Sequence, residues 1–190
     1  MSARTDYVPG PASGARVEKD GETWTLVVVR DLRHSRERVW QAITDPAHLR
    51  EWAPFDADHS LDKVGTTATL TTVGAPTPHV TQTTVTRADP PRMLGYNWGG
   101  YDMRWELEAI TDGTRLTLWT NIDRRYIAMG AAGWHICFDV LDRLLAGQPI
   151  GRMVGPDAMK FGGFQRLHAE YAKQFGIEPP NWPSKAARES

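Results

Sequence analysis

RWELEAITDGTRLTLW, residues 104–119, is the stretch that decides the fold class of this chain. Apolar residues, among them Trp105 and Leu107, alternate with charged ones, and this period of two is typical of a strand with one buried face. Asp112-Gly113 is a strong signal for a two-residue hairpin, and the alternation resumes over residues 115–122. The stretch therefore predicts two antiparallel strands of a sheet that is covered on one side.

Further strands are predicted on the N-terminal side of this hairpin, and helices on both sides of the meander. Residues 24–30, 66–72, 80–87 and 93–98 are rich in β-branched or aromatic residues and predict strands. Ser35 and Asp45 are typical N-cap residues, and Pro46 suits a first helical turn. They predict two helices that end at Trp52, before Pro54.

A long amphipathic helix is predicted over residues 128–145, since Trp134, Phe138, Leu141 and Leu145 recur at helical spacing. A further helix is expected near residues 160–175, and the glycine-containing residues 154–164 are expected to form a loop. An antiparallel meander with helices on one face is an α+β architecture. A curved sheet under one long helix leaves space for a ligand cavity.

The composition excludes several classes of protein. The chain has 190 residues, of which 41% are hydrophobic, and a net charge of -1, so it lacks the field that draws a protein to nucleic acid or anionic lipid. Its one cysteine, Cys137, allows no internal disulfide and favours a reducing compartment. No apolar stretch approaches the ~20 residues that span a bilayer. We expect a cytoplasmic protein that neither binds nucleic acid nor inserts into membranes.

Four segments resemble the activator-of-Hsp90-ATPase-like branch of the START/Bet v 1-like (SRPBCC) superfamily. They are RVWQAITDPAHLREW (38–52), DPPRMLGYNW (89–98), RWELEAITDGTRLTLW (104–119) and AAGWHICFDVLDRLLAG (131–147). They occur in the expected order across about residues 22–147. The resemblance implies a helix-grip fold, in which a curved antiparallel sheet wraps around a long C-terminal helix and encloses a hydrophobic cavity.

This resemblance suggests a division of the chain. We expect a flexible tail over residues 1–20, the helix-grip domain over 21–147, a helical extension over 148–177 and a second flexible tail over 178–190. The helix near 160–175 lies beyond the usual end of the fold. It packs either on its own domain or on a second copy in a homodimer, and the sequence leaves both open.

The residues expected to contact a ligand are mostly aromatic. The eight tryptophans are many for this length, and each is more simply explained as a core or surface residue, yet together they suggest a cavity for an apolar or aromatic molecule. The predicted set comprises Trp52, Trp98, Trp105, Leu107, Leu118, Trp134, His135 and Phe138.

His135 is also the leading titratable candidate, because Asp139 follows it at i+4 and could orient and charge the imidazole. A surface or interface pair on the polar face of the helix is the simpler interpretation, so we assign no catalytic residue. The histidines show no metal-binding spacing and no phosphate-binding loop is present, so we expect neither a metal nor another cofactor.

Three functions remain open at this stage. We favour a protein that binds a small apolar or aromatic molecule between the sheet and the long helix. Binding without catalysis is the simpler interpretation. The first alternative is a cyclase or hydrolase that moves protons with His135 and Asp139. The second is an Hsp90-type co-chaperone or interaction module, for which the sequence shows no recognition element.

Overall fold

The computed structural model describes residues 4–74 and 77–177. Within them the strands are β1 Ala15–Asp20, β2 Thr23–Leu32, β3 Phe55–Ala57, β4 Thr67–Thr72, β5 His79–Thr84, β6 Arg87–Asp89, β7 Met93–Trp98, β8 Tyr101–Ile110 and β9 Gly113–Asn121. The helices are α1 Arg36–Thr44, α2 Pro46–Trp52, α3 Ile127–Leu145, α4 Gly155–Lys160 and α5 Gly162–Phe175. No helix in the described part of the chain is long and apolar enough to cross a membrane.

The strands form two antiparallel sheets that meet along β5 and β7. The larger sheet has the order β1-β2-β9-β8-β7-β6 and the smaller one β3-β4-β5. Thr83 Oγ1 in β5 accepts a hydrogen bond of 3.1 Å from the backbone N–H of Asn97 in β7. In the central hairpin Trp105 lies opposite Leu118, which confirms that the predicted apolar residues share one face.

That apolar face packs against α3, and together they form the helix-grip α+β fold. Leu26 and Leu118 of the sheet are fully buried, as are Ile136, Phe138 and Leu141 of the helix. Burial of each such side chain contributes about 1.5–3 kcal/mol. The predicted helix over 128–145 is therefore confirmed, and its apolar stripe holds the two layers together.

The predicted caps on α1 and α2 are also confirmed. Ser35 Oγ accepts from the Arg38 backbone N–H at 3.3 Å, and Asp45 Oδ1 accepts from the Ala47 N–H at 2.8 Å. Pro46 occupies the first turn of α2, where no backbone N–H is needed. These local contacts set the sharp turn between the two helices.

The central hairpin turns one residue earlier than expected. Ile110 pairs with Gly113, so the two loop residues are Thr111 and Asp112 and the glycine begins β9. A Cβ on Gly113 would lie 2.0 Å from the carbonyl oxygen of Leu32. Glycine is required here because the β2 backbone passes directly beside the turn.

Residues 15–20 correct our expectation of a flexible tail over residues 1–20. They form β1, which pairs with β2 along its whole length. Upstream of this strand, Tyr7 is only 3% exposed and its hydroxyl donates to Asp139 in α3. The proline- and glycine-rich composition suggested disorder, but the partners that order this segment are distant in sequence.

The C-terminal extension packs on its own domain. α5 confirms the predicted helix near 160–175, and its Leu167 and Tyr171 are fully buried in the packing of the helix against α3. α4 forms where we expected a loop, because Gly155 rests against the backbone of Gly74. A Cβ on Gly155 would lie 2.5 Å from the Gly74 carbonyl oxygen. Residues 178–190, the predicted second tail, lie outside the described residues.

Candidate functional site

An apolar pocket of about 580 Å³ opens beside the first half of α3. The ends of β7, β8 and β9 form one wall, α3 forms the second, and the C-terminal extension forms the third. The principal lining side chains are Trp98, Tyr101 and Ile122 from the sheet, Met129 and Trp134 from α3, and Met153, Met159 and Phe164 from the extension. This volume lies within the usual range of small-molecule sites, about 300–1,000 Å³.

Small residues in α3 create this space. Gly130 and Gly133 both line the pocket. A Cβ on Gly133 would meet no other atom within 4 Å, whereas one on Gly130 would lie 2.9 Å from the Ile122 side chain. The first glycine therefore permits close approach of the sheet, and the second leaves open volume.

The predicted ligand-contacting residues divide into three groups. Trp98 and Trp134 line the pocket. Five others lie in the packed core between sheet and helix and are at most 3% exposed: Trp52, Trp105, Leu107, Leu118 and Phe138. His135 faces away from the pocket and lines a separate polar cleft.

The core behind the pocket is a cluster of interlocking aromatic rings. The ring of Trp105 meets that of Trp134 edge-on, with centroids 5.7 Å apart, and that of Trp52 at 6.2 Å. Trp52 is anchored in place, because its indole N–H donates to the Ala42 carbonyl at 2.9 Å. The centre of the grip is thus filled by side chains, and the open volume lies at one end of it.

Sequence reasoning missed the third wall of the pocket. Met153, Met159 and Phe164 belong to the extension, whose packing depends on the contact between Gly74 and Gly155 and on α5. Methionine is flexible and polarisable, so it adapts to ligands of different shape. The sequence contains one hint of this wall: methionine and glycine recur in residues 153–163. They follow neither helical nor strand periodicity.

Cys137 also borders the pocket, and its burial does not favour a nucleophile. Burial raises the pKa of its thiol to about 12, so the sulfur is protonated at neutral pH. A thiol needs its anionic form to attack. Cys137 acts here as a small apolar wall residue, as the sequence indicated.

Two polar atoms in the aromatic core lie beside each other and form no hydrogen bond of ordinary geometry with any described residue. They are the hydroxyl of Tyr96, in β7, and the indole nitrogen of Trp105, in β8. Burial raises the pKa of the Tyr96 hydroxyl, and a weak hydrogen bond from the neighbouring Trp105 indole offsets part of that rise. The hydroxyl therefore keeps its proton at all physiological pH values.

His135 belongs to a buried polar network on the opposite side of α3. Its Nδ1 lies 2.8 Å from the Tyr171 hydroxyl, which itself donates to the Ser13 carbonyl at 2.8 Å. Because that hydroxyl proton is already used, the Nδ1–H of His135 must donate to the tyrosine oxygen. Burial lowers the pKa of His135, although the Asp139 carboxylate opposes this shift.

Asp139 is occupied by partners other than His135. Arg30 donates to its Oδ1 and Tyr7 to its Oδ2, while His135 Nε2 remains 3.7 Å away. The network joins the N-terminal segment, β2, α3 and α5. No three His, Cys, Asp or Glu side chains meet as a metal site would require in residues 4–74 and 77–177.

Comparison with known proteins supports the observed fold. A family model described as activator of Hsp90 ATPase homolog 1-like protein matches residues 33–146. A solved protein from Staphylococcus saprophyticus is 19% identical, with a TM-score of 0.58, and the match covers 69% of this chain and 98% of that one. A conserved protein of unknown function from Enterococcus faecalis is 15% identical, with a TM-score of 0.63 and coverage of 84% and 89%. Comparison with curated proteins gives no match.

One similar structure includes more than the helix-grip core. CalU16 from Micromonospora echinospora is 20% identical, with a TM-score of 0.59, and the match covers 90% of this chain and 97% of that one. The 90% of this chain that the match covers is more than residues 21–147 alone contain. Some of the chain outside that range therefore has a structural counterpart in CalU16.

Proposed function

This chain belongs to the activator of Hsp90 ATPase homolog 1-like family, and we propose that it binds a small apolar, ring-containing molecule in the pocket beside α3. The observation that carries the proposal is the pocket itself, about 580 Å³ in volume, whose largest lining side chains are aromatic residues and methionines. An apolar guest would gain free energy by leaving water for these walls.

The construction of the pocket supports a ligand rather than a packing defect. Apolar cavities are costly, since a void forfeits dispersion contacts along its lining. Here the opening is bordered by two ring systems at right angles, Trp98 and Trp134, with centroids 6.1 Å apart. Aromatic pairs of this geometry offer both a face and an edge to a third ring.

Polar residues do not favour a proton-transfer function at this pocket. His135 and Asp139 lie on the other side of α3, and Asp139 already accepts from Arg30 and Tyr7. Cys137 keeps its proton. Binding without chemistry is therefore the function that these walls support best.

Gly133 provides the sharpest test of the site. Replacing it with leucine would fill open volume in the pocket, and the helix should be kept because leucine has a higher helix propensity than glycine. We expect tetralin, a bicyclic hydrocarbon, to bind the wild-type protein in a calorimetric titration. Gly133→Leu should weaken that binding more than about tenfold.

Gly133→Ala is the matched control, since a methyl group removes little volume and should leave tetralin affinity nearly unchanged. Thermal unfolding of both variants verifies that they fold. If the wild-type protein does not bind tetralin or related hydrocarbons, the proposed function is wrong. If Gly133→Leu binds as well as wild type, the ligand occupies another place.

A further inference from the structure

Thr120 interrupts the apolar inner face of β9 where that face meets the pocket. Leu118 and Ile122, two residues before and two after it, belong to the same face by alternation. Thr120 lies opposite Leu26 of β2 and Met103 of β8, and both of these side chains are buried in the core. The Thr120 side chain is 4% exposed and lines the pocket. A hydroxyl group is thus placed among apolar walls.

The Thr120 hydroxyl forms no hydrogen bond with a described residue. Other threonine hydroxyls that are as deeply buried do form one: Thr44 donates to the Trp40 carbonyl at 2.8 Å, and Thr114 to the His34 carbonyl at 2.7 Å. A buried polar group without a partner is unfavourable and is rare in native proteins. A polar group on the ligand would therefore be stabilised most next to Thr120.

The walls of the pocket indicate that this polar group is neutral. Among the described residues, no charged or amide side chain lines the pocket. A buried charge needs a partner of opposite sign, and the pocket offers none. The second threonine of the wall, Thr72, already accepts from the Trp98 indole N–H at 3.0 Å. Tyr101 and Tyr126, at the rim, are 36% and 45% exposed, so water reaches them.

The number of protons favours a carbonyl oxygen as the partner of Thr120. A threonine hydroxyl has one proton to donate. A carbonyl oxygen accepts this proton and brings none of its own, whereas a ligand hydroxyl would bring a second proton that needs another acceptor in the apolar walls. Buried donors without a partner are rarer than acceptor oxygens with an unused lone pair. A carbonyl is therefore the better match.

We propose that the molecule bound in this pocket carries a carbonyl oxygen on its ring system, and that the Thr120 hydroxyl donates a hydrogen bond to it. This inference rests on the proposed function and specifies its ligand class. Thr120 then determines specificity, because it favours a cyclic ketone over the corresponding hydrocarbon. The methionines and aromatic rings of the pocket accept the rest of the molecule.

The test compares tetralin with 1-tetralone, which differs from it by one carbonyl group, in calorimetric titrations. Thr120→Val replaces the hydroxyl with a methyl group, and valine suits a strand well, so the variant should fold. We expect it to weaken tetralone binding about threefold to tenfold and to change tetralin binding less than twofold. Thr120→Ser keeps the hydroxyl and should retain the preference for tetralone that Thr120→Val loses.

Thr117→Val is the matched control. Thr117 lies three residues earlier on the same strand, on its outer face, and borders the polar cleft instead of the pocket. The same substitution at this position should leave the affinities for tetralin and tetralone, and their ratio, unchanged.

The outcomes separate the inference from the proposed function. A preference for tetralone that disappears in Thr120→Val and persists in Thr120→Ser supports the inference. If both ligands bind and Thr120→Val keeps the wild-type ratio of affinities, carbonyl recognition by Thr120 is wrong and the apolar-ligand function stands. If 1-tetralol, the corresponding alcohol, binds the wild-type protein more tightly than tetralone, the carbonyl assignment is also wrong. If neither tetralin nor tetralone binds the wild-type protein, the proposed function fails and this inference fails with it.

Discussion

The imidazole of His135 donates from Nδ1 to the hydroxyl of Tyr171, 2.8 Å away, and so joins the long helix of the grip to the last helix of the chain. The same hydroxyl also accepts from the Ser13 backbone N–H at 3.2 Å and donates to the Ser13 carbonyl. One buried oxygen thus connects α3, α5 and the segment before β1. The extension that walls the pocket is held in place by this contact.

Tyr171→Phe should therefore lower the free energy of unfolding by about 2 kcal/mol, because it leaves a buried imidazole N–H and a backbone carbonyl without their partner. Urea denaturation measures the change. Tyr126→Phe is the control, since that side chain is 45% exposed and the change should cost less than about 0.5 kcal/mol. A Tyr171→Phe variant as stable as wild type would contradict the assigned network.

Stability should decline as the pH falls below the ordinary pKa of histidine. Burial lowers the pKa of His135 in the folded state, so the unfolded chain takes up a proton at a pH where the folded protein does not. Stability is then complete above the unfolded pKa of about 6.5 and decreases below it. Burial lowers the pKa of His168 in the same direction, so both histidines contribute.

The His135 contribution can be isolated by His135→Asn, whose side-chain N–H can replace Nδ1–H without titrating. We expect a smaller loss of stability between about pH 7 and pH 5 than in wild type. His79→Asn, at an exposed side chain in β5, is the control and should keep the wild-type slope. Equal slopes in His135→Asn and wild type would show that His135 titrates normally.

Tyr96→Phe should leave the stability within about 1 kcal/mol of wild type, because relief from burying the hydroxyl opposes the loss of its one weak hydrogen bond, from the Trp105 indole. Thermal and urea unfolding both measure the difference. A larger loss of stability in Tyr96→Phe would mean that the hydroxyl makes a stronger favourable contact in the free protein.

Gly155→Ala should be more damaging than Gly21→Ala, although both glycines have φ of +59°. An alanine in the left-handed backbone region costs about 1 kcal/mol, and this cost applies at both positions. At Gly155 the new Cβ would also lie 2.5 Å from the Gly74 carbonyl oxygen, whereas at Gly21 it meets nothing within 4 Å. Denaturation of both variants measures the difference in stability.

Because Val154 and Gly155 line the pocket, Gly155→Ala should also weaken tetralin binding, while Gly21→Ala should not. Calorimetric titration of the two variants checks this second effect. Equal losses of stability, or unchanged tetralin affinity in Gly155→Ala, would show that the Gly74–Gly155 contact does not shape the pocket.

The elements that local patterns specify were predictable. Ser35 and Asp45 cap their helices through side chains that reach the next turn. Trp105 and Leu118 share a face because alternation along a strand assigns sides without reference to the rest of the chain. The β1 strand and α4 were not predictable in this way, since they depend on β2 and on Gly74, which are distant in sequence or lack a pattern.

The candidate site, too, was predictable only in part. Trp98, Trp105, Trp134 and Phe138 were all predicted ligand contacts, but the sequence could not tell which of them would border open space. That was decided by packing: Trp105 and Phe138 are enclosed by other rings, while Trp98 and Trp134 face a gap closed by Met153, Met159 and Phe164.

By itself, then, the sequence determined most of the strands and helices and which side their residues take, because these depend on neighbours within a few positions. The tertiary structure alone decided where the sheet and α3 separate into a pocket, and that His135 joins Tyr171 rather than Asp139. Those outcomes depend on the fit of side chains from distant segments, and volume and hydrogen-bond geometry are properties of the assembled fold.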